Sequence, residues 1–261
     1  MTNSGSFDVE AFGLHLRLTA GCADASATLD QYAFPWLQRV EAKAGRPDLD
    51  LCIDKAAGEF RLLAGCEVVA AAHEPLGLVR ALIQVLDETV VQRLTTLRAV
   101  HAGVVAWNGR VLLFPGASHA GKSALSREFL RRGATYFSDE YALIDAAGYV
   151  HPYPRPLLVR DGGEEQSPLL ARALDAPVGD KPLPLGWIFA IAYRPEGGWN
   201  LGAMSQGEAL MVLLGNTPHT LKSSPDMIGV FQSAVSGAQS FVGTRGEAAD
   251  AVDRILNLIG G

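Results

Sequence analysis

The strongest constraint in this 261-residue chain is eight residues long: Gly116-Ala117-Ser118-His119-Ala120-Gly121-Lys122-Ser123. It fits the pattern G-x-x-x-x-G-K-[ST]. Its neighbours supply the context that pattern needs, with an apolar run, RVLLF, at 110–114 before it and a helical stretch from Ser123 to Arg132 after it. Glycines at both ends let successive backbone N–H groups curl around phosphate oxygens, and a helix starting near Gly121 turns its positive end toward the same anion. Lys122 would then reach the β- and γ-phosphates of a nucleoside triphosphate, and the Ser123 hydroxyl would ligate magnesium. A loop of this kind joins a strand to a helix, so the expected class is α/β.

The rest of the chain is read around that loop. Residues 11–18 alternate like a half-buried strand, a helix is expected from about Ala27 to Lys43, and strands are expected at 49–54, 59–64 and 67–72. This makes a small α+β unit. Pro75 opens a helix to about Leu97 whose apolar stripe carries Leu78, Val79, Leu82, Ile83, Leu86, Val90 and Val91. Strands at 102–107 and 110–114 flank Asn108-Gly109, a pair that readily takes positive φ in a two-residue hairpin turn. After the loop helix, Gly133 suits a left-handed cap. ATYF is a strand ending in Ser138-Asp139-Glu140, YALID and YVHPYP form a hairpin, WIFAIAY at 187–193 is a buried strand, and an amphipathic helix runs from Glu247 to Ile259.

Composition narrows the function classes. Hydrophobic residues make up 48% and charged residues 19%, the balance of a packed protein, and the length admits one large α/β domain or a small domain joined to a medium one. With a formal charge of -6 and no Lys/Arg stripe, a nucleic-acid partner is not expected. Cys22, Cys52 and Cys66 have neither metal-knuckle spacing nor an even count and read as reduced core thiols. No apolar run approaches the roughly 20 residues that span a bilayer, so no membrane partner and a cytoplasmic location are expected. A homo-oligomer is compatible with the sequence.

Phosphoryl transfer also needs a carboxylate near the metal, and Asp139-Glu140 closes the next strand, where strand ends gather around such a loop. One acid can hold the metal through water while the other accepts the proton of an attacking hydroxyl; an acidic pair at a strand end can equally be solvated. His101 precedes the strand leading to the loop. Alone it reads as a structural histidine, but the hairpin can return it to the acids, where it would tune their proton affinity.

HAGVVAWNGRVLLFPGASHAGKSALSREFLRRGATYFSDE resembles the catalytic core of the HPr kinase/phosphorylase family. The likeness joins a His at the head of a hairpin, the phosphate loop, an R-R-G helix end and an acidic pair at fixed spacing. SDEYALID and Pro152-Tyr153-Pro154-Arg155-Pro156-Leu157 are similar to related kinases of biosynthetic gene clusters, including those that phosphorylate lasso-peptide precursors. The resemblance covers roughly residues 98–160. It implies a P-loop kinase core of the HPr kinase / PEP-carboxykinase type over 98–261, with residues 1–97 as an accessory, substrate-recognising α+β domain. It also implies ATP and Mg2+, with His101 assisting the acids, Lys122 and Ser123 holding phosphate and magnesium, and Glu140 with Asp139 as base and metal contact. Glu165 falls near the position of a further metal-binding glutamate, and reads otherwise as a solvated loop acid. Arg155 either reaches a phosphate or a substrate carboxylate, or anchors the surface. The pattern departs at His119, where the family usually has glycine, and no counterpart exists of the basic loop that engages HPr.

The expected activity is ATP-dependent transfer of the γ-phosphoryl group to a hydroxyl, a serine of a peptide or small protein. The alternatives are a small-molecule kinase on the same core and a nucleotide-dependent binding module with little turnover.

Overall fold

The computed structural model describes residues 5–33, 36–116, 121–159, 166–195, 198–218 and 226–260. The chain divides into two compact units, Met1–Leu94 with Arg160–Pro168, and Thr95–Val159 with Leu169–Gly261.

The first unit contains β1 (Gly5–Ala11), β2 (Leu14–Ala20), α1 (Ala23–Tyr32), β3 (Gln38–Arg39), β4 (Leu49–Ala56), β5 (Glu59–Ala64), β6 (Glu67–Ala72), a 3-10 turn at Pro75–Leu78 and α2 (Val79–Arg93). Its six strands pair in the order β3-β1-β2-β4-β5-β6, with β2 and β4 parallel. Strict alternation along β2 buries Leu14, Leu16, Leu18 and Ala20 on one face. The strand expected across 11–18 is in fact broken, because Phe12 (φ 52) and Gly13 (φ 81) reverse the chain between β1 and β2. The helix expected from Ala27 to Lys43 stops at Tyr32. Gln38 and Arg39 instead pair with Glu10 and Val9 at the sheet edge, so tertiary pairing overrides local periodicity. Likewise α2 ends at Arg93, where Leu94 turns extended.

From Arg98 the elements are β7 (Arg98–Trp107), β8 (Arg110–Pro115), α3 (Lys122–Arg131), β9 (Thr135–Ser138), β10 (Tyr141–Ile144), β11 (Tyr149–His151), β12 (Leu157–Val159), β13 (Ser167–Leu169), β14 (Leu183–Tyr193), β15 (Asn200–Ala203), α4 (Gln206–Gly215), α5 (Met227–Ser236), β16 (Gln239–Arg245) and α6 (Ala248–Ile259). Asn108 (φ 49) and Gly109 (φ 74) turn β7 into β8 with both residues at positive φ. β8, β14 and β16 run parallel, so their carboxyl ends share one edge, and that edge carries Gly116 and Arg245. β11 pairs with both β10 and β14, which closes β7, β10, β11, β14 and β8 into a circuit.

Behind this edge, α3 and α6 pack over a core in which the Phe114 ring lies 5.3 Å from Phe129 and 6.1 Å from Phe189. Gly103 lets α3 approach β7 closely, because a β-carbon there would sit 2.8 Å from Ser126 Oγ and 3.4 Å from Lys122 Cβ. His101 lies within β7 rather than ahead of it, since the strand begins at Arg98, earlier than the apolar run indicated. The cysteines are free, and Cys66 is exposed rather than a core thiol, because it sits in the turn between β5 and β6. Among the described residues no helix is long and apolar enough to cross a membrane.

Candidate functional site

Of the predicted phosphate loop, Gly116 and Gly121–Ser123 are described, and Ala117, Ser118, His119 and Ala120 lie outside the described residues, as does Glu165. Gly121 takes φ 80, a left-handed backbone suited to glycine, immediately before α3 begins at Lys122. The Lys122 ammonium folds back to donate to the Gly116 carbonyl at 3.0 Å. Gly116 N–H in turn donates to the carbonyl of His101 at 3.2 Å, so the hairpin ties the histidine's backbone to the mouth of the loop.

β7 also pairs antiparallel with β10, with His101 opposite Tyr141. That register brings the acids beside the histidine. His101 Nδ1 lies 3.2 Å from Glu140 Oε1, and its ring packs 4.5 Å from the Tyr141 ring. The Ser138 hydroxyl accepts from the Glu140 and Tyr141 N–H groups at 3.3 and 3.2 Å, which turns the chain sharply between β9 and β10 and holds both acids at the corner.

The two acids differ. Asp139 is buried at 2% side-chain exposure, and its Oδ2 accepts from the Ser123 hydroxyl at 2.9 Å. Its Oδ1 accepts no hydrogen bond among the described residues, although Arg155 Nη2 approaches to 3.4 Å. Burial pushes its carboxyl above the ordinary range, and the neighbouring Glu140 charge adds to that, against the opposing pull of Arg155. Glu140 is 31% exposed. Burial alone would raise it too, but the His101 hydrogen bond and the Arg155 and Lys122 charges outweigh burial and hold it below its ordinary value. Side by side, one carboxylate therefore has an oxygen that accepts no hydrogen bond among the described residues, while the other has both oxygens engaged, by His101 and by Arg155.

Arg155 is not a surface anchor. Its side chain is 2% exposed, and its guanidinium lies 3.4 Å from Asp139 and 3.3 Å from Glu140 and donates to the Pro156 carbonyl at 2.9 Å. The carboxylates it reaches are the chain's own. The Tyr136 hydroxyl, donating to the Arg155 carbonyl at 2.8 Å, fixes the backbone there.

Two residues at the site carry no mark in the sequence. Gly103 looks like any strand glycine until α3 is seen against it. Arg245 donates to the Gly121 carbonyl at 3.1 Å from 124 residues further along the chain. The Ser138 turn, by contrast, is the kind that a serine before two acids can announce.

No protein-family model matches this chain, and no curated protein does. Among solved structures it is similar to the Hpr(Ser) kinase/phosphatase from Coxiella burnetii, at 14% identity, covering 62% of this chain and 93% of that one with a TM-score of 0.34. The chemistry of the site rests on its own residues.

Proposed function

We propose that this chain is an ATP-dependent kinase that transfers the γ-phosphoryl group to a hydroxyl, most simply a serine of a peptide or small protein. The observation that carries this reading is the corner where Glu140, 3.2 Å from His101, adjoins Asp139, which is bonded to Ser123 of the phosphate loop. A base and a metal-side carboxylate would thus lie beside a triphosphate held on Lys122 and the loop N–H groups.

A magnesium ion suits the residues present: the Ser123 hydroxyl and the Asp139 carboxylate, one of whose oxygens accepts no hydrogen bond among the described residues, are hard oxygen ligands. Ser123 and Asp139 would hold such an ion, and Glu165, the further metal ligand that the resemblance implies, lies outside the described residues. When bound, the ion would neutralise charge on the transferring phosphoryl group. Glu140, the more exposed acid, would accept the proton of the attacking hydroxyl on a carboxylate oxygen, with His101 holding the other oxygen and orienting the group. Arg155 would keep the two acids from repelling each other apart.

A peptide acceptor is favoured by the first unit, whose edge strand β6 pairs with β5 alone among the described residues and exposes Val68 and Val69, a surface to which extended chains add. Incubation with labelled ATP and pools of peptides and metabolites tests the whole reading. Wild-type protein should label a peptide serine, and Lys122→Ala should lose most ATP affinity and turnover with its fold intact. Unchanged affinity and turnover in that variant would end the kinase reading, and label confined to metabolites would end the peptide assignment.

A further inference from the structure

Arg245 ends β16 on the edge where the carboxyl ends of β8 and β14 also lie, beside the last glycine of the phosphate loop. Its side chain is buried at 2% exposure. One guanidinium nitrogen donates to the Gly121 carbonyl at 3.1 Å and another to the Gly246 carbonyl at 2.8 Å, and the group stacks 5.1 Å from the Tyr193 ring centre. Among the described residues Nε has no hydrogen-bond partner and no carboxylate lies within ion-pair distance. Glu247 is near enough to favour the charge, but its oxygen is engaged by the Tyr193 hydroxyl at 2.9 Å.

A buried cation held by carbonyl dipoles, a ring face and one more distant carboxylate, with no ion pair among the described residues, is unusual, because desolvating a charge is expensive unless an opposite charge replaces the water. Here the missing charge has an evident source. The guanidinium packs so tightly on Gly121 that a β-carbon on that glycine would land on it, and Gly121 precedes the first residue of α3, whose N-terminal N–H groups face an anion in loops of this kind. We propose that Arg245 is a positioning residue of the phosphate loop: it clamps the Gly121 peptide in its left-handed conformation, and its charge is balanced by the triphosphate when the loop is filled. The inference rests on the kinase reading above and deepens it, since it makes the loop's geometry depend on an arginine from a distant strand.

The full-length protein and its Arg245→Gln, Arg245→Lys and Lys122→Ala variants would be compared by thermal unfolding and by calorimetry with magnesium-ATP and with inorganic triphosphate. Arg245→Gln should melt no lower than wild type when empty, because it removes an uncompensated buried cation. It should bind both ligands at least about tenfold more weakly and lose most of the ligand-induced rise in melting temperature. Arg245→Lys, which keeps the charge without the planar fork, should recover part of the affinity. A merely structural arginine gives the opposite pattern, with a lower melting temperature or failure to fold in the empty glutamine variant and an unchanged affinity per folded molecule; either result overturns the proposal. If Lys122→Ala also binds as wild type does, the phosphate-loop reading itself has failed, which the Arg245 variants alone would not reveal.

Discussion

Asp8 in the first unit and the Asp139-Glu140 pair in the second keep similar company, yet they are treated in opposite ways. Asp8 accepts from Arg17 through both oxygens at 2.7 and 3.1 Å, from the Lys43 N–H at 2.7 Å, and lies 3.1 Å from His15 Nε2. The Arg17 and Lys43 hydrogen bonds outweigh its burial and hold it far below the ordinary carboxylate range. Asp139 also has an arginine beside it and a histidine nearby, but among the described residues one of its oxygens accepts no hydrogen bond, and burial pushes its carboxyl up. A carboxylate that only has to hold a fold can have every lone pair taken. On the proposed reading Asp139 is left short because it would receive a ligand, and the protein tolerates the deficit.

The sharpest way to break this comparison is at the acids. Asp139→Asn and Glu140→Gln should each keep nucleotide binding and lose at least about a hundredfold in single-turnover phosphoryl transfer, the scale of a positioned acid–base group. Asp139→Asn should not lower the melting temperature of the empty protein appreciably, since burial already disfavours that charge, whereas Glu140→Gln should lower it, because His101 and Arg155 favour the Glu140 carboxylate. Wild-type rates in both variants would make the pair structural, like Asp8.

Next in size is Gly103→Ala, whose new methyl would press on Ser126 and on the base of Lys122. Overpacking of this kind should destabilise the protein by about 1–3 kcal/mol in denaturant unfolding and weaken ATP binding together with it. Affinity that survives the loss of stability would separate the helix seat from the loop.

The smallest effect is expected at Asp8→Asn, which should lower the melting temperature at neutral pH. Because the folded pKa of Asp8 lies below its unfolded value of 3.8, the carboxylate's contribution is fully present above that value. It is lost as pH falls toward the depressed folded pKa. The gap between wild type and variant in a pH series of melts should therefore narrow below about pH 4. A gap that stays constant into acid would show that Asp8 acts through packing rather than charge.

What the sequence made legible follows the range of the interactions. The Asn108-Gly109 turn and the paired strands around it are local, with each residue's neighbours in space also its neighbours in the chain, so pattern and turn chemistry reveal them. Arg155 sits among three prolines and could be noticed, but only the return of the chain from β11 shows that its guanidinium lands on Asp139 and Glu140 rather than on a ligand or in solvent. Arg245 was silent because its contact spans 124 residues. α4, α5, β15 and β16 left no expectation at all. α4 is apolar nearly all round, with Met211 exposed as well as Leu213 buried, which erases the stripe that periodicity would detect. In the first unit the error ran the other way, since a helical pattern past Tyr32 yielded to edge pairing at Gln38 and Arg39.

The closed strand circuit bears on when the site can exist. β7 carries His101, and β10 follows directly from the acids; in an open sheet a strand at the margin can peel away and re-form without disturbing the rest. Here β10 is held by β7 on one side and by β11 on the other, and β11 is held in turn by β14. No strand of the ring leaves without breaking two seams at once. The distance between His101 and Glu140 is thus protected by the same cooperativity that protects the core, and the amide hydrogen of Ala102, which donates to the Glu140 carbonyl at 3.0 Å, should exchange on the timescale of global opening rather than of local fraying.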